Sequence, residues 1–177
     1  MAFAGCKREQ PQPAPKPAAS TPAATTQKPA TPANAEFPTL KVETIDGKRF
    51  DLAAQRGQWV VVNYWATWCG PCLKEMPELS ALDAMREHVE VIGLDYEDIE
   101  PEALKAFMQK HPVVYPIAIV DVYDPPKDFE APRGLPNTYL IAPDGKLAKH
   151  FLGPVTAKDI DEAIAKAGGP PLPKAAG

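Results

Sequence analysis

The run Trp59-Val60-Val61-Val62-Asn63-Tyr64-Trp65 is β-branched or aromatic at six of its seven positions. A strand with no polar face is stable only inside a sheet covered on both sides, so the run predicts a central strand between two layers. Eight residues after Trp65, LKEMPELSALDAMREH places apolar residues at 73, 76, 79, 82 and 85, the spacing of one helix face. Pro77 falls inside that pattern and predicts a kink, not a stop.

The remaining elements are arranged around this strand and helix. Thr39–Thr44 and Lys48–Leu52 flank Asp46-Gly47, a pair suited to a tight turn with positive φ, which predicts an opening hairpin. Val89–Leu94 reads as a strand, Pro101 as the N1 proline of a helix over Glu102–Lys110, and Val114–Val120 as a third strand. An irregular stretch, DVYDPPKDFEAPRG, follows. Thr138–Ala142 and Lys146–Leu152 bracket Pro-Asp-Gly as a second hairpin. Thr156 with Asp159 resembles a capping box and opens an amphipathic helix to Ala167. Strands and helices alternate in the middle and a hairpin stands at each end, so the predicted class is an α/β sandwich on a mixed sheet.

Composition sets the limits of the folded unit. Residues 1–36 hold seven of the 22 prolines and one aromatic, Phe3, which is too little apolar surface to offset ordering. That stretch is expected to act as an extended tether, 37–168 as the folded domain, and 169–177 as a flexible tail. The tether carries four bases and two acids, leaving 15 bases and 21 acids in residues 37–177. An acidic body argues against nucleic acid as a partner. No apolar run is long enough to span a bilayer. Three cysteines are too few for a disulfide framework.

Two of those cysteines carry the chemistry. Trp68-Cys69-Gly70-Pro71-Cys72 lies between the buried strand and the helix, which puts Cys69 at the helix N-terminus. Unpaired N–H groups and the positive end of the helix dipole stabilise a thiolate there. Cys72, one turn inside, is within disulfide reach, giving an outer nucleophile and an inner resolving thiol. The alternatives are packing cysteines or half of a metal site. Zinc would need two more ligands, and His88, His111 and His150 lack paired ligand spacing, so no metal and no cofactor is expected.

This WCGPC after VVVNYWAT resembles the active site of the thioredoxin superfamily. The flanks resemble its TlpA/ResA branch of membrane-tethered bacterial thiol–disulfide oxidoreductases: Asn63-Tyr64-Trp65-Ala66-Thr67, Glu75 three residues after the second cysteine, and Gly134-Leu135-Pro136-Asn137-Thr138 leading to Asp144-Gly145. The resemblance covers about 37–168 and implies a thioredoxin-like three-layer sandwich, with helices on both faces of a mixed sheet and an N-terminal β-hairpin. It implies that Pro136 is a cis-proline facing the cysteines across a substrate groove, with Trp68, Gly70, Pro71 and Leu135 on its walls. Trp68 is expected beside the sulfurs, screening them; an ordinary core tryptophan is the alternative. Ordinary thioredoxins place a buried acid six residues before the first cysteine, where this chain has Asn63, so Glu75 is the local candidate for moving the Cys72 proton.

Gly70-Pro71 is also the dipeptide of thioredoxin, a reductant at about −270 mV. The expected activity is therefore reduction of disulfides in envelope proteins, with clients such as apocytochrome c or copper-site proteins. Recharging is expected from a membrane electron donor of the DsbD/CcdA kind. Cys6 after Phe3-Ala4-Gly5 is similar to the end of a bacterial lipobox, although the apolar run that should precede it is missing. A lipid on Cys6 would hold a monomeric catalyst on the periplasmic side of a membrane, touching the bilayer through that lipid alone. Three rival readings remain: a disulfide-forming oxidant on the same fold, a Sco-like copper metallochaperone using Cys69, Cys72 and His150, and a peroxiredoxin. A metallochaperone of that type uses a CxxxC spacing, and a peroxiredoxin has its proline before the reactive cysteine.

Overall fold

The computed structural model describes residues 1–2 and 34–171. Most of the expected tether, Cys6 included, and the tail beyond 171 lie outside the described residues. A small antiparallel hairpin comes first, β1 (Lys41–Glu43) and β2 (Arg49–Asp51), then a 3₁₀ turn at Leu52–Gln55. Gly47 takes φ +80° in the hairpin turn, the backbone that Asp-Gly predicts.

The main sheet contains β3 (Trp59–Trp65), β4 (Val89–Asp95), β5 (Ile117–Ile119), β6 (Asn137–Ile141) and β7 (Leu147–Leu152), in the order β5-β4-β3-β6-β7. β3 is central, parallel to β4 and antiparallel to β6. Every one of its residues is buried, as its composition requires. β5 is shorter than the predicted 114–120, because Pro116 has no N–H to give to a ladder and pairing with β4 starts only at Ile117.

Alternation along β3 divides the core in two. Trp59, Val61 and Trp65 pack with Met76, Leu79 and Leu82 of α1 (Gly70–Met85), Leu104 of α2 (Pro101–Met108), and Ile160 and Ile164 of α3 (Ala157–Lys166). Val60, Val62 and Tyr64 pack on the opposite side with Leu40, Phe50, Leu52, Phe129 and Tyr139. The cover of this second face departs from expectation. All three α-helices bury their side chains in the first core, and the second is closed by the hairpin, the 3₁₀ turn and the segment around Phe129. Successive right-handed crossovers that step in one direction, β3-α1-β4 and then β4-α2-β5, put both helices on one side of the sheet.

α1 runs through Pro77 without a break. α3 opens with the full capping box: the Thr156 hydroxyl accepts from the Asp159 N–H, and the Asp159 carboxylate accepts from the Thr156 N–H. No helix among the described residues is long and apolar enough to cross a membrane.

Candidate active site

Cys69 and Cys72 form a disulfide with their Cα atoms 5.3 Å apart. Cys69 is the N-cap of α1, and its Sγ accepts the Cys72 N–H at 3.3 Å. The sulfur thus receives one of the N–H groups that a helix start leaves unpaired, the interaction that favours a thiolate after reduction. The expected outer and inner positions are less distinct than their roles imply, since Cys69 is 4% exposed and Cys72 0%. Gly70 and Pro71 are exposed beside them. Trp68 is 69% exposed, so it is not a core tryptophan.

Glu75 lies one turn beyond Cys72 and is 3% exposed. Its Oε1 accepts from Asn63 Nδ2 at 2.7 Å and its Oε2 from the Val155 N–H at 2.8 Å. Burial raises its pKa to about 7, against the opposing pull of those two donors. Asn63 Nδ2 also donates to Thr138 Oγ1 at 2.9 Å, while Asn63 Oδ1 is buried without a partner among the described residues. Asn63 is thus the residue that ties Glu75 to the strands, a link between positions too far apart for local patterns to show.

The Leu135–Pro136 peptide bond is cis. Tyr64 pairs with Asn137, so Pro136 stands at the end of the sheet where β3 leads to Cys69. A cleft of about 540 Å³ runs along Glu130, Arg133, Leu135, Pro136, His150 and Leu152. His150 bonds to Asn137 Oδ1 through Nε2 and stacks on Tyr139 at 4.1 Å. The ring is therefore committed elsewhere, against its use as a third copper ligand. A wider cleft of about 890 Å³, between the hairpin turn and α2, contains neither cysteine nor Pro136.

Sequence reasoning missed Asp95. It ends β4 opposite Trp65, is 0% exposed, and has no donor among the described residues for either carboxylate oxygen. Burial, followed by the neighbouring Glu97 carboxyl, raises its pKa to about 8. An acid at a strand end ordinarily reads as the first residue of a solvated loop, and here only the tertiary packing removes the solvent.

A central strand feeding a helix-capping CxxC disulfide, with a cis-proline strand alongside, defines a thioredoxin-fold thiol–disulfide protein. Residues 33–150 match the AhpC/TSA family. The thiol-disulfide oxidoreductase ResA of Bacillus thuringiensis subsp. konkukian is 32% identical over 133 residues, covering 74% of this chain and 76% of that one. ResA of Bacillus subtilis is 30% identical over 135 residues, covering 72% and 71%. A putative thiol:disulfide interchange protein DsbE from Chlorobium tepidum shares the fold, with a TM-score of 0.66 at 21% identity over 77% of this chain and 98% of that structure. The chain belongs to the AhpC/TSA family and, by its sequence identity, to the ResA thiol–disulfide oxidoreductases.

Proposed function

We propose that the protein reduces disulfides in proteins outside the cytoplasm, with Cys69 as nucleophile and Cys72 as resolving thiol. The Cys69 thiolate attacks a client disulfide, forms a mixed disulfide, and releases one client sulfur as a thiolate that takes up a proton. Glu75 removes the Cys72 proton. The Cys72 thiolate then attacks Cys69 Sγ and displaces the second client sulfur, which regains that proton from Glu75. Two electrons pass to the client, and the Cys69–Cys72 disulfide is formed. Pro136, Leu135, Gly70, Pro71 and Trp68 border the path of the client chain, with the indole of Trp68 available to it.

The observation that carries this reading is the buried Glu75 carboxyl, held by two donors one turn from Cys72 and poised near neutrality. Reduction as the direction draws support from Gly70-Pro71. An oxidising compartment fits a client that carries disulfides, and anchorage by a lipid on Cys6 draws support from Phe3-Ala4-Gly5-Cys6. Apocytochrome c or copper-site cysteines fit as clients, and a membrane dithiol donor of the DsbD/CcdA kind fits as the source of electrons.

The test is turnover of insulin disulfides with dithiothreitol, together with the reduction potential of the Cys69–Cys72 pair. Cys69→Ser is expected to abolish turnover, and the potential to fall near about −270 mV. Undiminished turnover in Cys69→Ser would overturn the assignment of the nucleophile. A potential near about −120 mV would reverse the direction to oxidant.

A further inference from the structure

We propose that His150 is a positioning residue for the client cleft, holding through the Asn137 amide the residue that follows Pro136 and with it the wall that Pro136 presents. This depends on the redox reading only in taking Pro136 as a border of the client path.

β7 is the edge of the main sheet, with no strand beyond it among the described residues. It meets the Pro136 end of β6 from one side only. One link is in the backbone, where the Gly153 N–H donates to the Pro136 carbonyl at 3.0 Å. Hydrogen-bonded pairs alternate along an antiparallel ladder, so Thr138–Phe151 is the next such pair, and Asn137–Leu152 and Tyr139–His150 are not. At those two positions only side chains join β6 to β7. Leu152 is 80% exposed and has no polar atom to offer the Asn137 amide. The polar link beside Pro136 therefore falls to His150.

Asn137 is buried, and a buried amide needs partners. His150, its diagonal neighbour across the strands, supplies one through the bond between Nε2 and Asn137 Oδ1. An amide oxygen only accepts, so Nε2 carries the hydrogen. The face of the ring is held as well: it stacks on Tyr139 with centroids 4.1 Å apart and planes 5° from parallel. Tyr139 is itself fully buried, and its hydroxyl donates to the Glu130 carbonyl at 3.1 Å. Glu130, Leu135, Pro136, Asn137 and His150 all border one cleft. An imidazole fixed on one face and one edge has little side-chain freedom left to lose, so it acts as a strut between the buried tyrosine and Asn137. Burial lowers its pKa against the pull of the Glu130 carboxyl, which favours the neutral ring. Protonation would add a hydrogen at Nδ1 and leave the Nε2–H bond to Asn137 in place.

The test joins ¹⁵N NMR of the His150 ring to insulin turnover with dithiothreitol, both in the full chain. At about pH 8 the wild-type ring is expected as the Nε2–H tautomer. His150→Phe keeps an aromatic face on Tyr139 but has no donor for Asn137, and Asn137→Ala has no acceptor. Each should raise the KM for insulin about threefold or more, with kcat within about a factor of two and the Cys69–Cys72 potential unchanged. Asn137→Asp keeps the acceptor and should bring KM back to near the wild-type value. Exchange of the Gly153 amide should quicken several-fold in His150→Phe and stay slow in Asn137→Asp. The proposal is overturned by an Nδ1–H tautomer in the wild type, by a wild-type KM in His150→Phe, by a KM in Asn137→Asp as high as in Asn137→Ala, or by Gly153 exchange that His150→Phe leaves alone. A wild type that does not turn insulin over would sink the redox reading instead. The tautomer and the Gly153 exchange need no turnover and then decide the role of His150 by themselves.

Discussion

Glu75 owes its behaviour to two opposed effects, and their balance fixes what pH does to the molecule. Burial favours the neutral acid, whereas the Asn63 and Val155 donors favour the carboxylate, and burial prevails. A carboxyl whose folded pKa exceeds its unfolded value binds its proton more tightly in the native state. Its stabilising effect is therefore complete below the unfolded value of 4.5 and is lost as pH rises to about 7. The loss across that window is about 3 kcal/mol. Urea unfolding of the oxidised protein at pH 4.5 and 7.5 should record it, and Glu75→Gln should remove that share of the slope; an unchanged slope in the variant would place the titration elsewhere. Asn63 adds a second handle. Its Oδ1 has no partner among the described residues while Glu75 accepts, but an amide turned by 180° offers that oxygen to a protonated Glu75. Asn63→Leu removes a donor that lowers the Glu75 pKa, so the midpoint should rise, as read by carboxyl NMR. A midpoint that falls instead would contradict the role of this hydrogen bond.

At the scale of elements, what could be read from the sequence was what neighbouring residues decide between them. β3, the span of α1, the Asp46-Gly47 turn and the Thr156–Asp159 box all follow from spacing within a few residues. What could not be read depended on partners far along the chain. Asn63 meets Glu75 and Thr138 across separations of 12 and 75 residues, and the burial of Asp95 depends on packing around the end of β4. The position of α1 and α2 on one face follows from the direction in which β5 joins the sheet, which strand patterns do not contain. Two element-scale substitutions probe this packing. Thr156→Ala should cost about 1 kcal/mol by removing the cap of α3, measured by urea unfolding. A Cβ on Gly93 would stand 2.5 Å from Ile117 Cδ1 and 3.1 Å from the Tyr115 ring, so β4 closes on β5 only without a side chain there. Gly93→Ala should cost roughly 1–3 kcal/mol, and a neutral result would mean that the isoleucine swings clear at little expense.

For the whole molecule, the decisive question is where the folded body begins, because the sequence puts that boundary at residue 37 and the hydrogen bonds start earlier. The Ala35 N–H donates to the Asp128 carbonyl at 3.0 Å, Asn34 Oδ1 accepts the Glu130 N–H at 3.0 Å, and the Glu36 carbonyl accepts the Leu147 N–H at 2.8 Å. Thr39 continues the strap through its N–H and hydroxyl to the Asp128 carboxylate. No α-helix among the described residues covers this face of the sheet, so the strap and the segment it binds are part of the closure of the second core around Phe129. That segment leads to Leu135 and Pro136, which connects the entry of the chain into the fold to one wall of the cleft. Hydrogen bonds of this kind contribute about 0.5–1.5 kcal/mol each, less where water competes, so three of them together are worth roughly 2 kcal/mol. The exposed Lys146–Glu36 ion pair adds little. A fragment of residues 34–171 should therefore unfold at higher urea than one of residues 37–171, by about that free energy. Amide exchange at Phe129 and Glu130 should be faster in the shorter fragment. Equal stability and equal exchange in the two fragments would mean that residues 34–36 merely lie on the surface, with the boundary at 37 after all.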